Sequence, residues 1–221
     1  MKIVGISSSP RGKNSNTLKL LNAAAEGAKE RGAEVEVIDV AKLNIRFCTG
    51  CLACRKSGEC VIKDDYPMLL KKLMAADGVI LSCPNYIHNV PGQLKVVFDR
   101  SANCVHEQRL EGKYGFSIMT AGGSDEELVL GIMNHFLALC GATVTGGVGH
   151  LMNRGPAGME DAIKRARAMG ADLVDAIAEK RIYPEQEAAH EAWKKQFART
   201  IKLNEINWSH NYDYWVRMGW V

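Results

Sequence analysis

Four of the chain's seven cysteines fall within thirteen residues, spaced Cys48-x2-Cys51-x2-Cys54-x5-Cys60. Overlapping two-residue gaps let three thiolates converge on adjacent iron corners of a small cube while a short loop returns the fourth, which is the demand of a [4Fe-4S] cluster. Zinc is a rival ligand, but structural zinc usually takes two separated C-x2-C knuckles, and here Cys51 would be shared between two. A redox dithiol, or cysteines with no ligand, are the other readings. Cys83, Cys104 and Cys140 stand alone in apolar surroundings and read as small buried hydrophobes, so one cluster per chain is the limit.

A second concentration of chemistry runs from Ser7 to Thr17, with seven hydroxyl or amide side chains in eleven positions together with Arg11. Helix N-terminal amides, hydroxyls and an arginine fork can all bond one phosphate dianion, which makes Ser7, Ser9, Arg11, Ser15, Asn16 and Thr17 candidate phosphate ligands. A plain polar turn capping a helix would explain one or two of these residues, not seven. The segment lacks the glycine-lysine pattern of nucleoside triphosphate sites and the glycine triplet of dinucleotide sites, so a mononucleotide is the better fit.

Two further loops complement it. Pro84, Asn85, Tyr86 and Asn89 offer a stiff exit, a ring and edge hydrogen bonds for a planar group, and Thr120, Ala121, Gly122 and Gly123 are small enough for backbone amides to approach one. His88 has two readings, a proton donor to a reduced cofactor or the more ordinary solvent-facing loop histidine.

Such loops need a scaffold that brings them together, and the hydrophobic pattern supplies one. Short apolar runs at Lys2–Ile6, Ala33–Val40, Gly78–Cys83, Tyr114–Thr120 and Thr143–Val148 read as strands. Helices are expected over 16–31, 67–76, 91–102, 125–140 and 159–180. Asp64 or Asp65 is expected to cap the second of these, with Pro67 in its first turn, so neither aspartate is given a catalytic role. Strands alternating with helices predict an α/β fold: a flavodoxin-like, doubly wound, five-stranded parallel sheet in the order 2-1-3-4-5, helices on both faces. Ligands in such sheets bind beyond the carboxyl ends of the strands at the switch point, where the three loops should meet. Residues 41–64, which hold the cysteines, have no sustained period and read as a long functional loop.

The 221 residues suit one domain and an appendage. The domain is placed at 1–180 and the appendage at 181–221, where eight of the fifteen aromatics and all four tryptophans lie. Residues 184–204 are expected to be helical and the remainder irregular, with the aromatics packing on the domain, on another subunit or over the substrate pocket. A net charge of +3, from 28 basic and 25 acidic residues without long like-charge runs, selects neither nucleic acid nor an anionic membrane. The start is too short in apolar residues for a signal peptide and no run could span a bilayer, so the sequence reads as cytoplasmic, where thiols stay reduced.

Ser9-Pro10-Arg11 followed by Asn14-Ser15-Asn16-Thr17, then Cys83-Pro84-Asn85-Tyr86, Gly92-Gln93-Leu94-Lys95 and Phe98-Asp99-Arg100, resembles the NADPH-dependent FMN reductase-like branch of the flavodoxin superfamily. The cysteine segment ahead of Asp64-Asp65 narrows the resemblance to the iron-sulfur flavoproteins, over roughly residues 1–180. It implies an FMN-dependent oxidoreductase with noncovalent FMN on the phosphate loop and a [4Fe-4S] cluster on Cys48, Cys51, Cys54 and Cys60. NAD(P)H or ferredoxin would be the electron donor, and the assembly a homodimer or homotetramer. The chain departs from that pattern by an extra residue near Gly12 and Lys13 and by its aromatic tail. The alternatives are a cluster-free NAD(P)H-dependent flavin or quinone reductase and a noncatalytic sensor or scaffold.

Overall fold

A computed structural model describes residues 1–221. Strands β1 (Lys2–Ser7), β2 (Glu34–Asp39), β3 (Gly78–Pro84), β4 (Tyr114–Ala121) and β5 (Thr143–Leu151) form one parallel sheet in the order β2-β1-β3-β4-β5. The expected order is therefore found. The helices are α1 (Asn16–Glu30), α2 (Ala53–Ser57), α3 (Tyr66–Ala75), α4 (Gly92–Arg100), α5 (Ala102–His106), α6 (Glu126–Leu139), α7 (Gly155–Glu179), α8 (Pro184–Leu203) and α9 (Ser209–Arg217).

The central strands β3 and β4 are covered on both faces, which is why their sequences are almost continuously apolar. On one face Leu20, Leu21 and Ala24 of α1 and Ala162, Ala166 and Leu173 of α7 pack on Ile3, Ile80, Phe116 and Ile118. These two helices lie unusually close, because a methyl group built on Gly27 would overlap the Arg167 carbonyl oxygen and one on Gly170 would overlap that of Ala24. On the other face Leu69 and Leu73 of α3, Leu94 and Val97 of α4, and Val129, Met133 and Leu137 of α6 meet Val4, Ile6, Val79 and Leu81. Register places Ser7 beside Ser82 and Pro84 beside Thr120, so the loops leaving β1, β3 and β4 emerge side by side.

Three expectations need correction. The helix expected to run unbroken to Ala102 ends at Arg100, because Ser101 turns its hydroxyl back to the Val97 carbonyl oxygen (2.7 Å) and meets the Tyr66 hydroxyl (3.0 Å), after which α5 starts afresh. The last crossover helix begins at Gly155 rather than Met159, with Pro156 in its first turn, where a missing N–H costs nothing. The tail beyond residue 204 is not irregular, since α9 forms there and buries Trp215 completely. Its apolar residues are spaced for a helix, but they are aromatics mixed with polar residues, and burial against α2, α8 and the end of α5 decides the outcome.

Candidate functional site

At the carboxyl edge of the sheet a cavity of about 210 Å³ is lined by Arg11 and Asn16 from the first loop, Pro84, Asn85 and Tyr86 from the second, and Thr120, Ala121 and Gly122 from the third, with Met152 beyond β5 closing it. Eight of the fourteen residues singled out from the sequence thus share one space. Met152 carries no sequence signal of its own; it arrives because β5 pairs with β4, and its sulfur accepts the Asn16 amide N–H at 3.3 Å.

Other candidates build the walls rather than line them. The Ser15 hydroxyl oxygen caps α1 by accepting the Leu18 N–H at 3.1 Å, which leaves its O–H free to donate. Ser7 and Ser9 are buried beneath the loop, where the Ser9 hydroxyl oxygen faces the Arg11 N–H at 3.4 Å. Thr17 and Thr120 meet hydroxyl to hydroxyl at 2.5 Å, tying the first turn of α1 to the end of β4. Asn89 closes a tight turn with Tyr86, exchanging backbone hydrogen bonds of 2.9 and 3.2 Å around Ile87 and His88, which both take positive φ. Gly123 lies beyond the lining, near Asn153.

His88 is largely exposed, and its Nδ1 sits 2.8 Å from Oδ2 of Asp125. The Ser124 hydroxyl, then His88 and Asn85, hold the Asp125 carboxyl below its ordinary range. Asp125 also accepts the Asn85 side-chain N–H at 3.1 Å, which orients the Asn85 amide and leaves its Oδ1 buried without a partner. An unpartnered buried acceptor on a cavity wall suits the N–H edge of a heteroaromatic ring. The cavity therefore fits a phosphorylated planar cofactor: a cationic and amide-rich end at Arg11 and α1, a small-residue wall at Ala121 and Gly122, and an orphan acceptor at Asn85.

The cysteine segment is closed at its neck. Asp65 accepts the Asn44 N–H at 2.7 Å and Asp64 the Arg46 N–H at 2.9 Å, while Arg100 forks onto Asp64 with bonds of 2.5 and 3.1 Å and donates to the Arg46 carbonyl at 2.9 Å. Burial alone would raise the Asp64 carboxyl, but Arg100 and the N–H groups of Arg46 and Tyr66 outweigh it and hold the group low. Asp65 occupies the cap position of α3 but gives it no side-chain cap, because its carboxylate serves the loop; Asp64, one residue earlier, accepts the Tyr66 N–H at 3.1 Å instead.

Within the segment all four thiols are free, Cys48 and Cys51 exposed and Cys54 and Cys60 half-buried. They gather electrostatically around Cys54: burial raises that thiol, Arg55 lowers it, and Cys60, Cys48 and Cys51 each push it up. Cys51 is lowered by the Ala53 N–H and the Thr49 hydroxyl, donors that favour a thiolate. The donor set is therefore the soft, unpaired sulfur set that an iron-sulfur cluster takes, while no three His, Cys, Asp or Glu side chains are drawn into a closed metal-binding group. An apolar groove of about 430 Å³ lies between the residues just ahead of Cys48 and the cavity, lined by Leu43, Ile45, Phe47 and Val96 and sharing Tyr86 with the cavity.

The back of the segment rests on the tail. The Arg55 guanidinium lies 3.8 Å above the Trp208 ring, Asn103 of α5 donates to the Cys54 carbonyl at 2.7 Å, and the His210 ring fills the space beside Gly58, where no side chain would fit. Trp215 donates to the His106 carbonyl at 2.7 Å and Asn211 to the buried Glu107 carboxylate at 2.6 Å, fixing α9 to α5. Arg55 and Trp208 are 153 positions apart, and nothing in the sequence pairs them.

The family described as NADPH-dependent FMN reductase matches residues 1–155. An iron-sulfur flavoprotein of Archaeoglobus fulgidus is 37% identical over 228 aligned positions that cover 100% of both chains. An iron-sulfur flavoprotein of Methanosarcina thermophila is 37% identical across 68% of this chain and 80% of its own. Among solved structures, an NAD(P)H:quinone oxidoreductase from Methanothermobacter marburgensis superposes with a TM-score of 0.63 over 78% of this chain and 96% of its own; at 19% identity that likeness is one of fold.

Proposed function

The chain belongs to the NADPH-dependent FMN reductase family, among the iron-sulfur flavoproteins, and is an FMN-dependent oxidoreductase; from that membership we propose that the three-loop cavity holds the FMN and that Cys48, Cys51, Cys54 and Cys60 hold one [4Fe-4S] cluster. The observation that carries the reading is the single cavity built from the loops after β1, β3 and β4, with Leu43, Ile45 and Phe47, just ahead of Cys48, lining an apolar groove that shares Tyr86 with it.

Each residue has a defined task. Arg11 and the free N–H groups at the start of α1 bind the phosphate, with Ser9, Ser15 and Asn16 beside them. Thr17, through Thr120, keeps that helix end seated on β4. Ala121, Gly122 and Tyr86 would hold the ring system, and the Asn85 Oδ1 would accept its N–H, while Pro84 keeps the strand exit rigid. Gly123 leaves room for that loop, and Asn89 shapes the turn that carries Tyr86. Bound FMN supplies the exchange of electron pairs with NAD(P)H and of single electrons with the cluster or with a ferredoxin-type partner.

Residues 1–180 form the FMN domain and 181–221 the extension that backs its thiol segment. The exposed apolar side chains Phe47 and Ile87, 79% and 92% accessible, flank the groove and favour a homodimer or homotetramer that covers them. Seven free cysteines favour a reducing cytoplasm, and no helix is long and apolar enough to cross a membrane. A cluster-free NAD(P)H-dependent flavin or quinone reductase is the second reading, favoured by the open arrangement of the four thiols. Anaerobic purification followed by flavin, iron and acid-labile sulfide counts separates the two. Near four irons and four sulfides per chain are expected, and stoichiometric flavin without iron rejects the cluster.

A further inference from the structure

Arg55 is 8% exposed, yet it makes no salt bridge, and its Nε and Nη1 groups have no hydrogen-bond partner. Burying a guanidinium without an anion is costly, so a buried one that persists marks a place where an anion is expected. The thiol nearest to it along the chain is that of Cys54, its neighbour in α2, so the anion this buried cation lacks is the one the four-cysteine site would supply. Glu107, just past α5, does not serve it, because that carboxylate is committed to Arg109, Asn211 and His210. What keeps the guanidinium in place is the Trp208 face, 3.8 Å away, in a segment anchored by Asn211 and Trp215.

We propose that Arg55 is a positioning residue for the four-cysteine site, a fixed buried cation that offsets the charge of the thiolate-bound centre, and that the C-terminal extension belongs to that site because Trp208 holds the guanidinium there. This rests on the cluster reading above. One electron added to a four-thiolate cluster raises its negative charge by one, so a cation held nearby favours the reduced form and draws the potential upward. No bond is made or broken in that step. The tail that looks from the sequence like an oligomerisation arm or a lid is on this account an inner wall of the electron-transfer site.

The test uses the full chain, loaded with FMN and reconstituted anaerobically with iron and sulfide, comparing wild type with Arg55→Gln, Arg55→Lys, Trp208→Ala and Trp208→Phe. Iron per chain and the cluster potential, from a dithionite titration followed by electron paramagnetic resonance, are read alongside flavin content, which reports an intact domain. For Arg55→Gln the expected result is a fall of about tenfold in the reduced-to-oxidised ratio at a fixed potential, about 59 mV for one electron. Arg55→Lys should restore most of that ratio. Trp208→Ala should shift it in the same direction as Arg55→Gln, and Trp208→Phe should recover it. Loss of iron in Arg55→Gln with retention in Arg55→Lys carries the same meaning. Equal behaviour of the Gln and Lys variants, or unchanged iron and potential in both Arg55→Gln and Trp208→Ala, overturns the inference while leaving the cluster in place. A wild-type chain that takes up no iron rejects the cluster reading itself.

Discussion

Arg100 grips Asp64 through two hydrogen bonds, 2.5 and 3.1 Å long, with both side chains fully buried. The pair spans the neck of the cysteine segment, because Asp64 also accepts the Arg46 N–H and Arg100 donates to the Arg46 carbonyl. Burial alone would lower the Arg100 guanidinium, but Asp64 and the nearby Cys60 outweigh it and hold the group above its ordinary range.

Breaking that pair strands a buried charge. Asp64→Asn is expected to destabilise the fold by about 3–5 kcal/mol at neutral pH, read by urea unfolding. Since the Asp64 carboxyl titrates below its ordinary range in the folded chain, its contribution is whole above the unfolded aspartate value near ~3.9 and is lost as pH falls through the lower folded one. The gap in stability between wild type and Asp64→Asn should therefore be constant at higher pH and shrink in acid; a gap that widens in acid would contradict the assignment.

Arg11→Ala removes the one guanidinium lining the cavity. A charge-assisted bond to phosphate is worth about 1.5–3 kcal/mol, so the Kd for FMN should rise roughly tenfold or more, measured by quenching of flavin fluorescence on titration into apoprotein. Riboflavin, which lacks the phosphate, should bind wild type and Arg11→Ala alike.

Cys60→Ser separates the two redox sites. Flavin content and NAD(P)H oxidation should survive, because Cys60 is not among the residues lining the cavity, while iron and the one-electron reaction with a partner protein are lost. A Cys60→Ser chain indistinguishable from an iron-free wild type in flavin content, NAD(P)H oxidation and the partner reaction would favour the cluster-free reductase.

Gly170→Ala tests the packing of α1 on α7. With a carbonyl of the opposite helix where the new methyl would sit, the helices must separate, at a cost of about 1–3 kcal/mol visible as a lowered Tm. Gly12→Ala, at a glycine with open space around it but a positive φ, should act only through local backbone strain.

Much of this architecture is legible in the chain itself. The apolar runs at β1, β3 and β4 are long because both faces of those strands are buried, and the doubly wound order follows from their alternation with helices. The three loops stand out by composition, and the sheet brings their ends to one edge, so Arg11, Asn85 and Gly122 can be assigned to one place before any coordinates are seen. Ser101 and α9 were harder. A hydroxyl that ends a helix early, and an aromatic segment that becomes helical only when buried, depend on neighbours far away in the chain.

By itself the sequence determined the strand order, the hydroxyl-rich loop leading into α1 and the presence of four clustered thiols, because hydrophobic period, helix-capping chemistry and residue spacing are all local properties. Only the tertiary structure decided that Met152 closes the cavity, that Asp125 aims Asn85, that Arg100 locks the neck of the thiol segment and that Trp208 lies across Arg55. Each of these joins residues through space rather than along the chain, and such pairings are selected by the packing of whole elements, which no short window of sequence records.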